Sequence, residues 1–337
     1  MNKTNKAILT LAIAAGLTSH ASQADAAATV ETFGTGDGQF SIDFVEIGNQ
    51  GNAADTSGAP NPAGSVAYTY SLGKYEVSRD MINKANTAGG LGITMADMSA
   101  YVGGLGHGGN YAGAAASGIT WNEAARFVNW LNTSRGYQAA YNFTTTGSNA
   151  NITLWGAGQY SGNNQFRHKD AVFVLPSMDE WYKAAYGSPS GTWYDYATGS
   201  NSSPSNSLSG TTAGSAVFGF ASLQGATDVA LAGGLSAYGT MGQGGNVWEW
   251  NETAYDGVNN SASEGRTIRG GSWTSGVEEI DATIRLPFGN GPTRGGVTAA
   301  ENDYGFRVAM VPEPSALSLL MVGCVGLMAH RRRRHEI

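Results

Sequence analysis

The stretch Gly244-Gly245-Asn246-Val247-Trp248-Glu249-Trp250 sets two glycines and an asparagine ahead of a strand-like run over residues 247–250. Glycine and asparagine tolerate the backbone angles of a tight turn, so the stretch reads as a turn that delivers a strand. Further strand-like runs follow at 267–268 and 305–310, whereas residues 187–245 are mostly turn formers. Towards the N-terminus two capping boxes stand out. Ser177 with Glu180 starts a helix that turns Trp181, Ala184 and Ala185 inward between Pro176 and Gly187. Thr120 with Glu123 starts another, with Ala124, Phe127, Val128 and Leu131 on one face. Ser78 reads as a third cap, with Met81, Ile82 and Ala85 on one face and Gly89-Gly90 as the stop. Residues 40–47 and 67–77 carry strand patterns on either side of a Gly/Asn/Pro loop. Few helices and short twisted strands among loops, with no internal repeat and no linker, predict one α+β domain of about 280 residues.

Composition agrees with a loop-rich globular chain. Of 337 residues 49 are glycine and only 13% are charged, while 8 tryptophans and 15 tyrosines exclude a disordered polymer. Between residues 27 and 310, four lysines and nine arginines stand against 23 acids. A body so acidic, without a basic cluster, excludes nucleic acid as partner.

The two ends read as addresses. Residues 1–26 begin with Lys3 and Lys6, continue with an apolar run over 7–17 and finish Ala24-Asp25-Ala26, the order of a secretory signal peptide rather than of a buried helix. At the other end Pro312-Glu313-Pro314 precedes an apolar stretch over 316–329 and then Arg331, Arg332, Arg333 and Arg334. That stretch is short of the roughly 20 apolar residues of a straight membrane span, but flanking residues and snorkelling arginines extend it. The single cysteine, Cys324, lies inside this tail. The body therefore has no disulfide, no thiolate nucleophile and no thiolate metal site.

In order and spacing the tail, residues 311–337, resembles the PEP-CTERM sorting signal of Gram-negative bacteria. The resemblance implies a transient anchor in the inner membrane, recognition and cleavage by an exosortase, and delivery to the cell surface or an extracellular matrix. A plain C-terminal anchor is the alternative.

Within residues 27–310 five strings occur in order: GITWNEAARFVNWLN (118–132), LPSMDEWYKAAYG (175–187), GGNVWEW (244–250), RGGSW (269–273) and GFRVA (305–309). Together they resemble the formylglycine-generating enzyme, or sulfatase-modifying factor, family. The resemblance implies an irregular, loop-rich α+β fold related to C-type lectins. Family enzymes oxidise a sulfatase cysteine to formylglycine with a copper-binding cysteine pair that follows the RGGS string. Here those positions fall on Ser275 and Ile280. Cuprous ion is soft and is selected by thiolates, so neither copper nor formylglycine synthesis is expected.

The resemblance also implies a calcium site on GGNVWEW, with the carboxylate of Glu249 and the carbonyls of Gly245 and Val247 as ligands. The family's asparagine ligand falls on Gly242, which offers a carbonyl alone. Calcium prefers six to eight oxygens of this mixed kind. The competing reading pairs Glu249 with an arginine and leaves the tryptophans as core. The resemblance implies a second calcium site in the preceding loop, for which Asn206 and Asp228 are the candidate contributors.

Arg269, Ser272, Ser275 and Arg307 form a candidate binding set, since arginines among aromatic rings clamp carboxylates or phosphates. The plainer expectation pairs Arg269 and Arg307 with acids such as Glu249 or Asp303. Ser275 has no triad, because His107 and His168 are the only histidines of the body and neither has triad or metal-ligand spacing. Trp155, Tyr160, Trp193, Tyr194, Tyr196 and Tyr255 cluster in or beside loops and suit either sugar stacking or core packing.

The expectation is therefore an exported envelope or matrix protein with a noncatalytic, calcium-stabilised binding or structural domain, whose partner is a glycan or another envelope protein. The alternative is a cysteine-independent oxidising or modifying enzyme on the same scaffold, although a scaffold by itself does not imply activity.

Overall fold

The computed structural model describes residues 28–101, 109–144, 152–220, 224–262, 264–284 and 300–312. The signal-peptide reading over 1–26 lies outside these residues, as do Glu313, Pro314, the apolar stretch with Cys324, the four terminal arginines and His107.

Among the described residues there are twelve short strands, three α-helices and a few single turns of 3-10 helix. β1 (Ala28–Phe33) and β2 (Phe40–Ile47) form a hairpin. β3 (Tyr70–Gly73), α1 (Arg79–Gly89) and α2 (Trp121–Ser134) follow. Next come β4 (Asn142–Phe143), β5 (Ile152–Thr153), β6 (Phe173–Val174) and α3 (Met178–Tyr186). β7 (Ser205–Asn206) and β8 (Ser215–Ala216) pair within the turn-rich stretch. The chain then makes β9 (Trp248–Ala254), β10 (Arg266–Arg269), β11 (Tyr304–Gly305) and β12 (Ala309–Met310).

The three helices begin where their caps predict. Thr120 and Ser177 each close a reciprocal capping box, with Glu123 and Glu180, and Ser78 Oγ accepts from Met81 N. Gly90, at φ +61°, ends α1 in the left-handed conformation that glycine adopts without steric cost. β2 matches its pattern residue for residue, but the 67–77 reading shrinks to the four residues of β3, and the 305–310 reading divides into β11 and β12.

That division shapes the architecture. An antiparallel sheet of five strands runs in the order β1-β2-β3-β12-β6, and a separate sheet of three runs β10-β9-β11. The GFRVA string thus spans both sheets, with β11 in one and β12 in the other. The main core fills the side of the larger sheet that faces α2. Phe33 meets Phe173 edge-on at 5.1 Å, Phe40 stacks on Phe127 at 6.1 Å, and Phe127 meets Phe306 at 5.5 Å. The free edge at β6 is covered by Asn132 of α2, whose Oδ1 accepts from Val172 N and Phe173 N and whose Nδ2 donates to Phe173 O. Among the described residues no helix is long and apolar enough to cross a membrane.

Candidate functional site

Three of the five strings meet in the smaller sheet. Glu249 on β9 stands opposite Arg269 of β10 in antiparallel register and opposite Gly305 of β11 in parallel register. GGNVWEW, RGGSW and GFRVA are therefore adjacent at one residue. β9 is locked laterally by two tryptophans, its own Trp250 and Trp121 of α2: Trp250 Nε1 donates to Ile119 O at 2.7 Å, and Trp121 Nε1 donates back to Asn251 O at 3.0 Å.

The turn before β9 is held by Asn246, a residue with no solvent exposure and with φ +60°. Its Oδ1 accepts from Thr227 N, its Nδ2 donates to Glu76 Oε2 at 2.8 Å, its N–H donates to Val217 O, and its carbonyl accepts from Trp273 N. Gly245, at φ +108°, lies so close to Val217 that a Cβ there would come 2.2 Å from the Val217 carbonyl oxygen. Only glycine allows that approach.

Glu249 is fully buried, and its carboxylate takes three donors. Arg307 Nε and one terminal nitrogen reach its two oxygens at 2.6 Å each, and Trp181 Nε1 adds a bond of 2.8 Å. The remaining guanidinium hydrogens of Arg307 go to the carbonyls of Gly73, Lys74 and Met241. The arginine ties the larger sheet, the 241 turn and β9 together, as its pairing expectation has it. Arg269 goes elsewhere. It donates to the carbonyls of Ala59, Ala282 and Ile284 and lies 5.3 Å from the ring centre of Tyr182.

Glu76 is a residue that sequence reasoning missed. It follows β3 and is buried beside Gly242, so that a Cβ on Gly242 would come 2.7 Å from Glu76 Oε2. A glutamate brought in from a distant stretch thus fills the space that a side chain at position 242 would take. Its Oε1 is buried without a hydrogen bond. Burial, with Glu249 nearby, pushes the Glu76 carboxyl well above the ordinary glutamate range. Two carboxylates and one guanidinium leave one negative charge in a dry space, which a proton on Glu76 or a cation beside it neutralises. Oxygen is the donor type a hard cation seeks, and Glu76 Oε1 is the unengaged carboxylate oxygen here, since both oxygens of Glu249 are taken. Asn206 lies on β7 near Gly219, while Asp228 accepts from Ala230 N and packs over Gly113, two different stretches of chain.

Ser275 and Ile280 do not fit copper. Ser275 Oγ accepts from Ser272 N at 3.0 Å, and Ile280 is buried in an apolar cluster with Ala216 and Phe218. A hydroxyl and an alkyl group offer no soft ligand. The cavity of about 300 Å³ beside Ser275 is lined by Thr274, Glu279, Glu301 and Asp303. Ser272 Oγ donates to Asp303 Oδ2 at 2.7 Å, and burial, with Glu301 and Glu279 nearby, pushes the Asp303 carboxyl up. His168 meets the Trp155 ring edge-on at 4.7 Å, away from Ser275 in sequence and contacts. The six loop aromatics are neither core nor free: five are partly exposed, and Tyr255 is the most open at 45%.

A second buried network was not legible in advance. Arg167 bridges Glu180 and Glu252, Tyr141 donates to Glu252 Oε2 at 2.7 Å, and Tyr68 donates to Glu180 Oε1. Glu180 is at once the capping-box residue of α3 and half of this ion pair.

The family model for the sulfatase-modifying factor enzyme 1-like domain matches residues 21–311. Among solved structures, Treponema denticola variable protein 1 superposes with TM-score 0.55 at 19% identity, covering 84% of this chain and 99% of that one. A crystal structure of CarF superposes with TM-score 0.54 at 18% identity, covering 80% and 98%. At such identities the likeness establishes the fold, an irregular α+β arrangement with few helices, and nothing about ligands. No curated protein matches the chain.

Proposed function

Given that the chain belongs to the sulfatase-modifying factor enzyme 1-like family, we propose that it is an exported protein in which that fold serves as a binding and structural module and makes no formylglycine. One observation carries this reading. At the two positions where the family resemblance places the copper-binding cysteines, a serine is hydrogen-bonded to its own turn and an isoleucine is packed into apolar core. The test is direct: the full chain is incubated with cuprous copper, oxygen and a cysteine-containing sulfatase peptide, and the peptide mass is followed. An unchanged peptide is the expected result, and conversion of cysteine to formylglycine overturns the reading.

Calcium is the proposed stabiliser of the module. Gly242, Gly245 and Val247 are the proposed carbonyl ligands, and Glu76 Oε1 is the proposed carboxylate ligand in place of Glu249, whose two oxygens are taken by Arg307 and Trp181. When bound, the ion neutralises the excess charge and cross-links the turn before β9 to the segment after β3. Asn206 and Asp228 are the proposed contributors to a second site. Arg269 and Arg307 are taken up by structural bonds, so ligand contact at this face falls to the rim around Ser272 and Ser275. A melting temperature that falls with chelator in the parent, and not in Glu76→Gln, supports the calcium reading; equal melts with and without chelator sink it.

The sequence of the two ends supports export by the signal peptide of residues 1–26, transient anchoring through 316–329, and recognition by an exosortase of Pro312, Glu313, Pro314 and the arginines 331–334. The destination proposed is the cell surface or extracellular matrix of a Gram-negative bacterium, with a glycan or envelope protein as partner. Removal of Arg331, Arg332, Arg333 and Arg334 is expected to leave uncleaved precursor in the inner membrane. Normal release of that variant argues for a different sorting route.

A further inference from the structure

Lys183 sits on α3 and is 1% exposed, yet its ammonium has one acceptor, the Asn49 carbonyl at 3.0 Å. Among the described residues no carboxylate lies within ion-pair range of it. An ammonium offers three donors, and a buried cation without a counter-charge is costly enough that proteins normally pair it. Burial alone draws its pKa down to about 8. The side chain does not extend to solvent. It lines a cavity of about 380 Å³ with Asn49, Ser190, Thr192, Trp193 and Tyr238.

The walls of this cavity are fixed before any ligand arrives. Trp193 is seated in a slot made by two glycines: a Cβ on Gly64 would come 2.5 Å from its ring, and one on Gly187 would come 3.1 Å from it. Its other neighbour is the Tyr182 ring at 5.6 Å. The Ser190–Thr192 turn is tied to Ser188, whose Oγ lies 3.0 Å from Ser190 Oγ, accepts from Thr192 N at 2.9 Å and is 3.0 Å from Thr192 O. An indole plate, hydroxyls, an amide and one unneutralised cation therefore converge on a space at the small end of the ligand range of about 300–1,000 Å³.

We propose that this cavity binds an acidic monosaccharide unit, with its carboxylate on Lys183 and its ring against Trp193. The cation selects the anion, and the anion supplies the counter-charge that the protein itself withholds. Hydroxyls and the Asn49 amide match the hydroxyls of a sugar, and the half-buried indole offers the apolar face that a pyranose ring covers. The site is separate from the smaller sheet and from Ser275, so it stands whether or not calcium and sorting are as proposed. It also survives a result in which the chain proves to be an oxidase.

The test is calorimetry on the full chain with sodium glucuronate, glucose and sodium acetate, using the parent, Lys183→Met and Ser190→Glu. Met keeps the length of the side chain and removes its charge. Ser190 is exposed, so glutamate there places a carboxylate at the cavity mouth without entering the core. Saturable glucuronate binding is expected in the parent, with glucose and acetate weaker by at least about tenfold and both variants weakened to a similar degree. Should Lys183→Met fail to fold, Ser190→Glu alone decides. Three results overturn the proposal: no saturable glucuronate binding in the parent, binding that Ser190→Glu leaves within about twofold, or acetate that binds as tightly as glucuronate, which would mean a bare anion site.

Discussion

Arg307 and Glu249 form a two-pronged ion pair in which neither residue has any solvent exposure, each N–O contact being 2.6 Å. Removing one partner of such a pair leaves an unneutralised charge in the interior, at a cost of about 3–5 kcal/mol. Arg307→Met is expected to lower stability by that amount in urea titrations, and Glu249→Gln by less, because Glu76 can ionise to face Arg307. The double variant Glu249→Gln/Arg307→Met should lose less than the sum of the singles, because it strands no charge. Additive losses would mean that the pair is not the unit of stability.

The reciprocal bonds of Trp250 to Ile119 and Trp121 to Asn251 fasten α2 to β9. Trp250→Phe keeps a six-membered aromatic ring but removes the five-membered ring with its N–H, so the Ile119 carbonyl loses that donor and a small void is left. A loss of about 1–3 kcal/mol is expected, and the same from Trp121→Phe. Chemical denaturation of the two variants measures it directly.

Gly245→Ala and Gly36→Ala make a matched comparison, since both glycines have positive φ. A methyl group at Gly36 meets nothing within 4 Å, whereas at Gly245 it meets the Val217 carbonyl at 2.2 Å. The first should cost about 1–2 kcal/mol from backbone strain alone. The second must also break the Asn246 N–H bond to Val217 and should exceed about 4 kcal/mol, seen as lost soluble yield or lost near-ultraviolet dichroism.

Glu76 and Glu180 should respond to pH in opposite directions. Burial and the nearby Glu249 raise the Glu76 pKa well above 4.5, so the folded chain keeps a proton that the unfolded chain has released. Its contribution is full below pH 4.5 and is lost as pH rises towards the folded value. Burial also pushes Glu180 up, but Arg167 outweighs it and holds the carboxyl below 4.5. That contribution is present above pH 4.5 and is lost as pH falls through the folded value. With chelator present, Glu76→Gln should gain on the parent as the solution is made less acidic, and Glu180→Gln should lose most near neutrality. Urea midpoints across the acid range test both signs.

Local chemistry made the helices legible. Thr120 with Glu123, Ser177 with Glu180 and Ser78 with Gly90 are decided within one turn of chain, so the sequence displays them. The strands were harder, because β11 and β12 are two residues each and their pairing depends on partners far along the chain. At the site, Glu249 and Arg307 stood out through their strings. Glu76 did not, since nothing near Tyr75-Glu76-Val77 announces that the carboxylate will settle beside Gly242. Lys183 was hidden for a similar reason. In Trp181-Tyr182-Lys183 a lysine reads as a solvated position, and only the packing of the Asn49 turn over α3 encloses it.

β12 occupies the interior of the five-stranded sheet, between β3 and β6, although it is the last strand of the described chain. Until residues 309–310 arrive, β3 and β6 face each other across a missing strand, and Arg307 has not yet reached Glu249. Assembly must therefore wait for the end of the domain to be synthesised, and contacts that join such distant parts of a chain are slow to form. The piece that locks the fold is among the last to be made, so the domain stays open until nearly all of it has been synthesised.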